Sequence, residues 1–151
     1  MAFLENKPPG KMLDTFFTSS PKITEHGPAW AASRLPFLGK TFTGRRSTQD
    51  DSGDGKGSTC DDYFDLLAST LSFHPDENTF PPESDHVVDA AACGSGVVSV
   101  VGHAKFASVA TGKSWEEKFI YRLSGFDEEG KIGHWEIWAD PLSAWEAVGG
   151  R

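Results

Sequence analysis

The chain has 151 residues, a length that fits one domain and buries a real core; 11 Phe and 5 Trp argue against disorder along its whole length. A formal net charge of −8 argues against a nucleic-acid partner, because phosphate binding needs a concentrated Lys/Arg surface; Arg45-Arg46, the only tight basic pair, reads as solvated. Cys60 and Cys93 fit neither a metal-ligand spacing nor a disulfide framework and are expected to be reduced, structurally minor thiols. No window approaches the roughly 18 apolar residues of a membrane span. The start, MAFLENKPPGKM, lacks the apolar core of a signal peptide, so a cytoplasmic protein without a membrane partner is expected.

Residues 1–11 read as a flexible tail, since Pro8-Pro9-Gly10 disfavours helix, and residues 12–151 as a single domain. Met12, Leu13, Phe16 and Phe17 supply one or two helical turns. Ser20-Pro21 then breaks the chain before a short strand, Lys22 to His26, closed by Gly27-Pro28. Trp30 to Gly39 is a loop with aromatic anchors. Residues 47–59, STQDDSGDGKGST, are polar and glycine-rich and read as a mobile surface loop. Its Asp/Gly pattern lacks the Glu that would complete a calcium loop. Helical spacing of Tyr63, Leu66, Leu67, Thr70 and Leu71, with Asp61 and Asp62 in the first turn, predicts a helix over 61–71.

From His86 onward the pattern is β. Strands are predicted over 87–93, 96–110, 114–123 and 131–139, separated by Gly-Ser-Gly, by Thr111-Gly112-Lys113 and by Asp127-Glu128-Glu129-Gly130. Four strands joined by short turns make an antiparallel meander, and the helices before it make the class α+β. Asp140-Pro141 should open a final short helix, Asp as N-cap and Pro at the first helical position.

Leu38-Gly39-Lys40-Thr41-Phe42-Thr43-Gly44, Tyr63-Phe64…Leu67, Thr111-Gly112-Lys113 and Gly130-Lys131-Ile132…Asp140-Pro141, in this order of elements, resemble the nuclear transport factor 2-like superfamily in its SnoaL-like and ketosteroid isomerase-like branch. The resemblance covers roughly residues 12 to 148 and implies a cone-shaped α+β barrel, a curved antiparallel sheet wrapped around N-terminal helices. It departs from the pattern in leaving little chain for the long first helix that covers the cone's mouth. The resemblance implies a small-molecule ligand and an isomerase, cyclase or dehydratase of secondary metabolism that uses general acid–base catalysis without cofactor or metal. The same fold also serves as a non-catalytic binding or dimerisation module, and a homodimer through the convex sheet face is expected.

Alternation along strands selects the candidates. Only one of Glu25 and His26 can point inward, and His26 is the expected acid/base, imidazole being the side-chain type most often used for proton transfer at physiological pH. Trp115, Glu117, Phe119, Tyr121 and Leu123 share one face that reads as a pocket wall, with Tyr121 an oxyanion-stabilising donor. His134, Glu136, Trp138 and Asp140 oppose Gly133, Trp135, Ile137 and Ala139. Hydrophobicity alone would bury the second set; a convex-face interface allows the polar set to line the cavity, and on that solution Glu136 partners His26. His103, Tyr63, Trp138, Phe119 and Trp30 complete the expected substrate-binding set, and Asp140 is assigned to the cap.

Overall fold

The computed structural model describes residues 8–46 and 57–149. The predicted tail therefore lies mostly, and the predicted loop at 47–59 largely, outside the described residues. Helix α1 spans Pro9–Phe16, with Met12 and Leu13 buried. The expectation that Pro8-Pro9-Gly10 bars a helix is corrected here: Pro9 opens one, since its fixed φ suits the first helical position and its missing N–H is not needed there.

Strand β1 runs Phe17–His26, through Ser20-Pro21 rather than starting after it. Its register against the last strand slips between Phe17 and Lys22, so Pro21 sits in an irregularity where no ladder bond is required of it. Strand β2, Thr41–Thr43, pairs antiparallel with β1 and was not anticipated. Helix α2, Cys60–Thr70, begins in a capping box: Thr59 accepts from the Asp62 N–H, and the Asp62 carboxylate accepts from the Thr59 N–H. Arg45 bridges Asp61 and Asp14, and Arg46 bridges Asp62 and Asp65. The basic pair read as solvated instead ties α1, the segment after β2 and the start of α2 together.

Strand β3, Leu71–His74, follows α2 directly. Strands β4 (Val87–Asp89), β5 (Val97–Ser108), β6 (Ser114–Ser124) and β7 (Ile132–Trp138) form the meander, each antiparallel to the next. The β6–β7 turn is built by the Asp127 carboxylate, which accepts from the N–H groups of Glu129 and Lys131, while Gly130 adopts φ 79°. The sheet order is β2-β1-β7-β6-β5-β3, with β4 alongside β5. β1 is parallel to β7, which places the first and last long strands side by side and makes the curled, half-barrel sheet mixed rather than wholly antiparallel.

Helix α3, Pro141–Gly149, starts as its sequence predicts: Asp140 accepts from the Ser143 N–H at 3.1 Å and from its hydroxyl at 2.6 Å. The far end of α3 is tied to the β5–β6 turn by the Thr111 hydroxyl, which donates to the Ala147 carbonyl. The core gathers on the concave face, where Ile23, Phe42, Tyr63, Leu123, Trp135 and Ile137 are buried.

Candidate active site

Strand alternation sends Ile23 and Glu25 of β1, Glu117, Phe119 and Tyr121 of β6, and Trp135 and Ile137 of β7 to the concave face. Helix α2 covers that face without filling it. A cavity of about 490 Å³ remains between the sheet, α2, the Leu35–Leu38 segment and the start of α3. Aromatic rings make up most of its wall: Tyr121 meets Trp135 edge-on at 5.0 Å, Phe80 lies 5.8 Å from Tyr121, and Phe119 lies 5.0 Å from it. A cavity of this size with few polar groups is the usual anatomy of a small-molecule site.

Glu25 is the most unusual of those polar groups. It is only 8% exposed, and its Oε1 accepts from the Tyr63 hydroxyl at 3.2 Å. Among the described residues its other oxygen has no hydrogen-bond partner. Burial pushes the carboxyl up to about 8, against the pull of the tyrosine bond and with help from the nearby Glu117 charge. At pH 7 the group is therefore mainly a neutral acid. Ile137 pairs with Glu25 on one side and with Tyr121 on the other. The two polar side chains thus stand two strands apart on one concave row, roughly 10 Å between backbones, converging over Ile137 as the sheet curls.

The Tyr121 hydroxyl has no hydrogen-bond partner among the described residues, and burial followed by the charges of Glu25 and Glu117 holds it protonated. Glu117 differs from Glu25 because both its oxygens are engaged: Oε1 accepts from the Trp115 indole N–H at 3.0 Å and Oε2 from the Asp140 backbone N–H at 2.6 Å. Burial still raises it, against the pull of these two bonds. Cys60 is buried behind this region and burial pushes its thiol up to about 12, which makes it a poor nucleophile.

Three of the expected site residues, Tyr63, Phe119 and Tyr121, line the cavity. His26, Glu136 and Trp138 do come together, but on the outer face of the sheet. His26 Nε2 lies 3.0 Å from Glu136 Oε1, Arg122 donates to Glu136 Oε2 at 2.6 Å, and the His26 ring stacks on Trp138 at 4.2 Å. Burial pushes the Glu136 carboxyl up, and the Arg122 and His26 bonds outweigh it and hold it below its ordinary value. His103 is exposed on the outer side of β5, and Trp30, 63% exposed, packs edge-on against Trp145 at 5.0 Å.

The reason is parity. With Ile23 inward, Glu25 follows it inward and His26 cannot. On β7, Trp135 and Ile137 take the concave face, so the alternating polar set faces out. The preference for burying large apolar groups decided the side, as hydrophobicity alone indicated. Glu25 and Glu117 were not named as site residues, although Glu117 belongs to the β6 face read as the pocket wall. Among the described residues no cluster of His, Cys, Asp or Glu is arranged to hold a metal, and no helix is long and apolar enough to cross a membrane.

Solved structures share this architecture. An isomerase candidate from Bacillus subtilis aligns over 100% of this chain and 88% of its own, with a TM-score of 0.61 at 14% identity. An NTF2-like protein from Burkholderia xenovorans LB400 aligns over 91% of this chain and 82% of its own, with a TM-score of 0.57 at 16% identity. The fold is NTF2-like. A SnoaL-like polyketide cyclase candidate from Jannaschia sp. CCS1 aligns over 93% of this chain and 78% of its own, with a TM-score of 0.51 at 8% identity. No protein-family model matches the sequence, and comparison with curated proteins returns no match. Pro9 and Met12 of α1 reach the cavity wall together with Pro141 and Ala144 of α3.

Burial of a neutral Glu25 has a sign that stability measurements read directly. A carboxyl raised from 4.5 to about 8 in the fold contributes stability that is complete below about pH 4.5 and is lost as pH rises toward 8. Glu25→Gln keeps the neutral shape and should remove that loss. In urea melts the variant should gain on the parent by on the order of 3 kcal/mol between pH 4.5 and 7. Parallel stability profiles for the two proteins would contradict the assignment.

Proposed function

We propose that the cavity is the active site of a small-molecule isomerase, cyclase or dehydratase working by general acid–base catalysis on an apolar, oxygenated metabolite. The observation that carries this reading is Glu25: a carboxyl raised toward neutrality, one oxygen held by Tyr63 and the other open to an apolar cavity. A group that titrates near the working pH exchanges protons in both directions with small driving force. Protonated Glu25 gives its proton to a ligand oxygen, and the carboxylate left behind takes one from a neighbouring carbon. In a dehydration, the protonated hydroxyl leaves as water as the carbon loses its proton, and the acid is restored. In an isomerisation the same two transfers occur at different positions of one molecule.

Tyr121 supplies the second function. Its unengaged hydroxyl donates to the ligand oxygen on which negative charge grows, and its raised pKa keeps it a donor throughout. Tyr63 holds the Glu25 carboxyl in one orientation. Solved structures of the same fold include an isomerase candidate and a SnoaL-like polyketide cyclase candidate, with which this reaction class is consistent.

Mass spectrometry of small molecules retained by the protein from a host extract identifies the substrate. Turnover of that compound should fall by about 10²–10⁴-fold in Glu25→Gln and by about 10²-fold in Tyr121→Phe. Unchanged turnover in Glu25→Gln would overturn the mechanism. A retained compound that is bound and released unchanged would instead make the protein a binding module.

The outer face supports a homodimer as part of the same proposal. Register aligns Val101 with Ile120 and Ile120 with Trp138, an apolar row across three adjacent strands at 53%, 44% and 40% exposure. Trp138 continues the row into His26 on β1. Sedimentation at tens of micromolar should show a dimer that Ile120→Lys converts to a monomer; a monomeric parent protein would contradict this part.

A further inference from the structure

Two residues along β6 from Tyr121, on the same concave face, stands Phe119, whose cross-strand partner on β5 is Gly102. Gly102 lies in the interior of β5, and its φ is not in the left-handed region, so its backbone does not call for glycine. A glycine inside a strand weakens it, because it has no side chain to pack. Here the ring of Phe119 uses the space. A Cβ on Gly102 would overlap Phe119 Cε2 and Cζ and stand 3.1 Å from Cδ2. The ring therefore lies back on bare β5 backbone instead of standing off the sheet, an aromatic residue covering a strand glycine.

The ring is hemmed in on its other sides. Phe106, Phe73, Phe80 and Tyr121 surround it at centroid distances of 6.0, 6.3, 5.9 and 5.0 Å. With β5 behind it and aromatic rings around it, the direction left to Phe119 is the cavity, whose wall it forms. Its row adjoins the row of Glu25, Ile137 and Tyr121, roughly 7 Å away along β6. A ligand that touches Glu25 and Tyr121 and is longer than the gap between them extends over Phe119. We infer, on the reading of the cavity as a ligand site, that Gly102 is a specificity-determining position: its missing side chain seats the Phe119 ring against β5 and so sets the largest ligand the cavity admits beside Glu25 and Tyr121. A side chain at position 102 drives the ring into the cavity and shortens the space along β6.

Two hydrocarbon probes without polar groups, naphthalene and the larger pyrene, test this by fluorescence titration of the whole protein and its variants. The parent should bind both. In Gly102→Ala, pyrene affinity should fall by about tenfold or more, and naphthalene affinity by less than about threefold, since the smaller probe still fits beside the displaced ring. Adding Phe119→Leu to Gly102→Ala removes the ring atoms that meet the new methyl group. This double variant should fold even if Gly102→Ala alone does not, and its pyrene affinity should return to within about threefold of the parent. Pyrene affinity unchanged in Gly102→Ala would overturn the inference, as would an equal loss for both probes, or a double variant that does not recover pyrene binding. A parent protein that binds neither probe would count against the ligand cavity itself, and the size limit would fall with it.

Discussion

The burial of one carboxyl, Glu25, between the concave sheet and α2 is the constraint around which the site is organised. A carboxylate in an apolar cavity is far from the water that stabilises its charge, so the group keeps its proton until about pH 8. Tyr63, itself fully buried and wedged among Phe37, Phe42, Phe64 and Trp135, supplies the only protein hydrogen bond to it among the described residues. The packing that fixes Tyr63 therefore fixes the acid. Fold and chemistry meet at this contact.

The sheet topology makes the contact possible. β1 adds to the meander along its last strand, β7, in parallel, so a residue near the start of the chain stands beside the end of the sheet's final strand. Glu25 and Tyr121 then flank Ile137 from opposite sides. The ion pairs of Arg45 and Arg46 with α1 and α2 serve the same end, because they hold the helices that roof the cavity. α3, capped by Asp140 and linked to Glu117 through its preceding N–H, closes the remaining side.

Local signals in the sequence carried most of the architecture. Each predicted meander strand has its counterpart, shortened most at Val87–Asp89, and the capped helix starts at Pro141 as the Asp-Pro pair indicates. The face of β6 containing Phe119 and Tyr121 was legible as the cavity wall because only one of its two faces is rich in aromatic groups. The parallel pairing of β1 with β7 was not legible, since a long-range partner leaves no mark in local periodicity. Pro21 hid the first half of β1, because a proline in a bulge looks the same in sequence as a proline that ends a strand. The choice between Glu25 and His26 turned on a single step of parity, and the apolar neighbour Ile23 was the better guide than the neutral-range titration of a free imidazole. On β7, Trp135 and Ile137 outweighed the more suggestive polar residues.

The outer and inner faces of the same strands thus differ in character. Val101, Ile120 and Trp138 form an exposed apolar row on the outside, while Glu25, Ile137 and Tyr121 line the cavity on the inside. The most direct measurement of the central claim is a carbon-13 NMR titration of the Glu25 side-chain carboxyl, assigned by comparison with Glu25→Gln. A midpoint near 8 is the result expected of a buried acid facing an apolar cavity. A midpoint near the ordinary 4.5 would mean that water solvates this carboxyl, and the account of the site would fall.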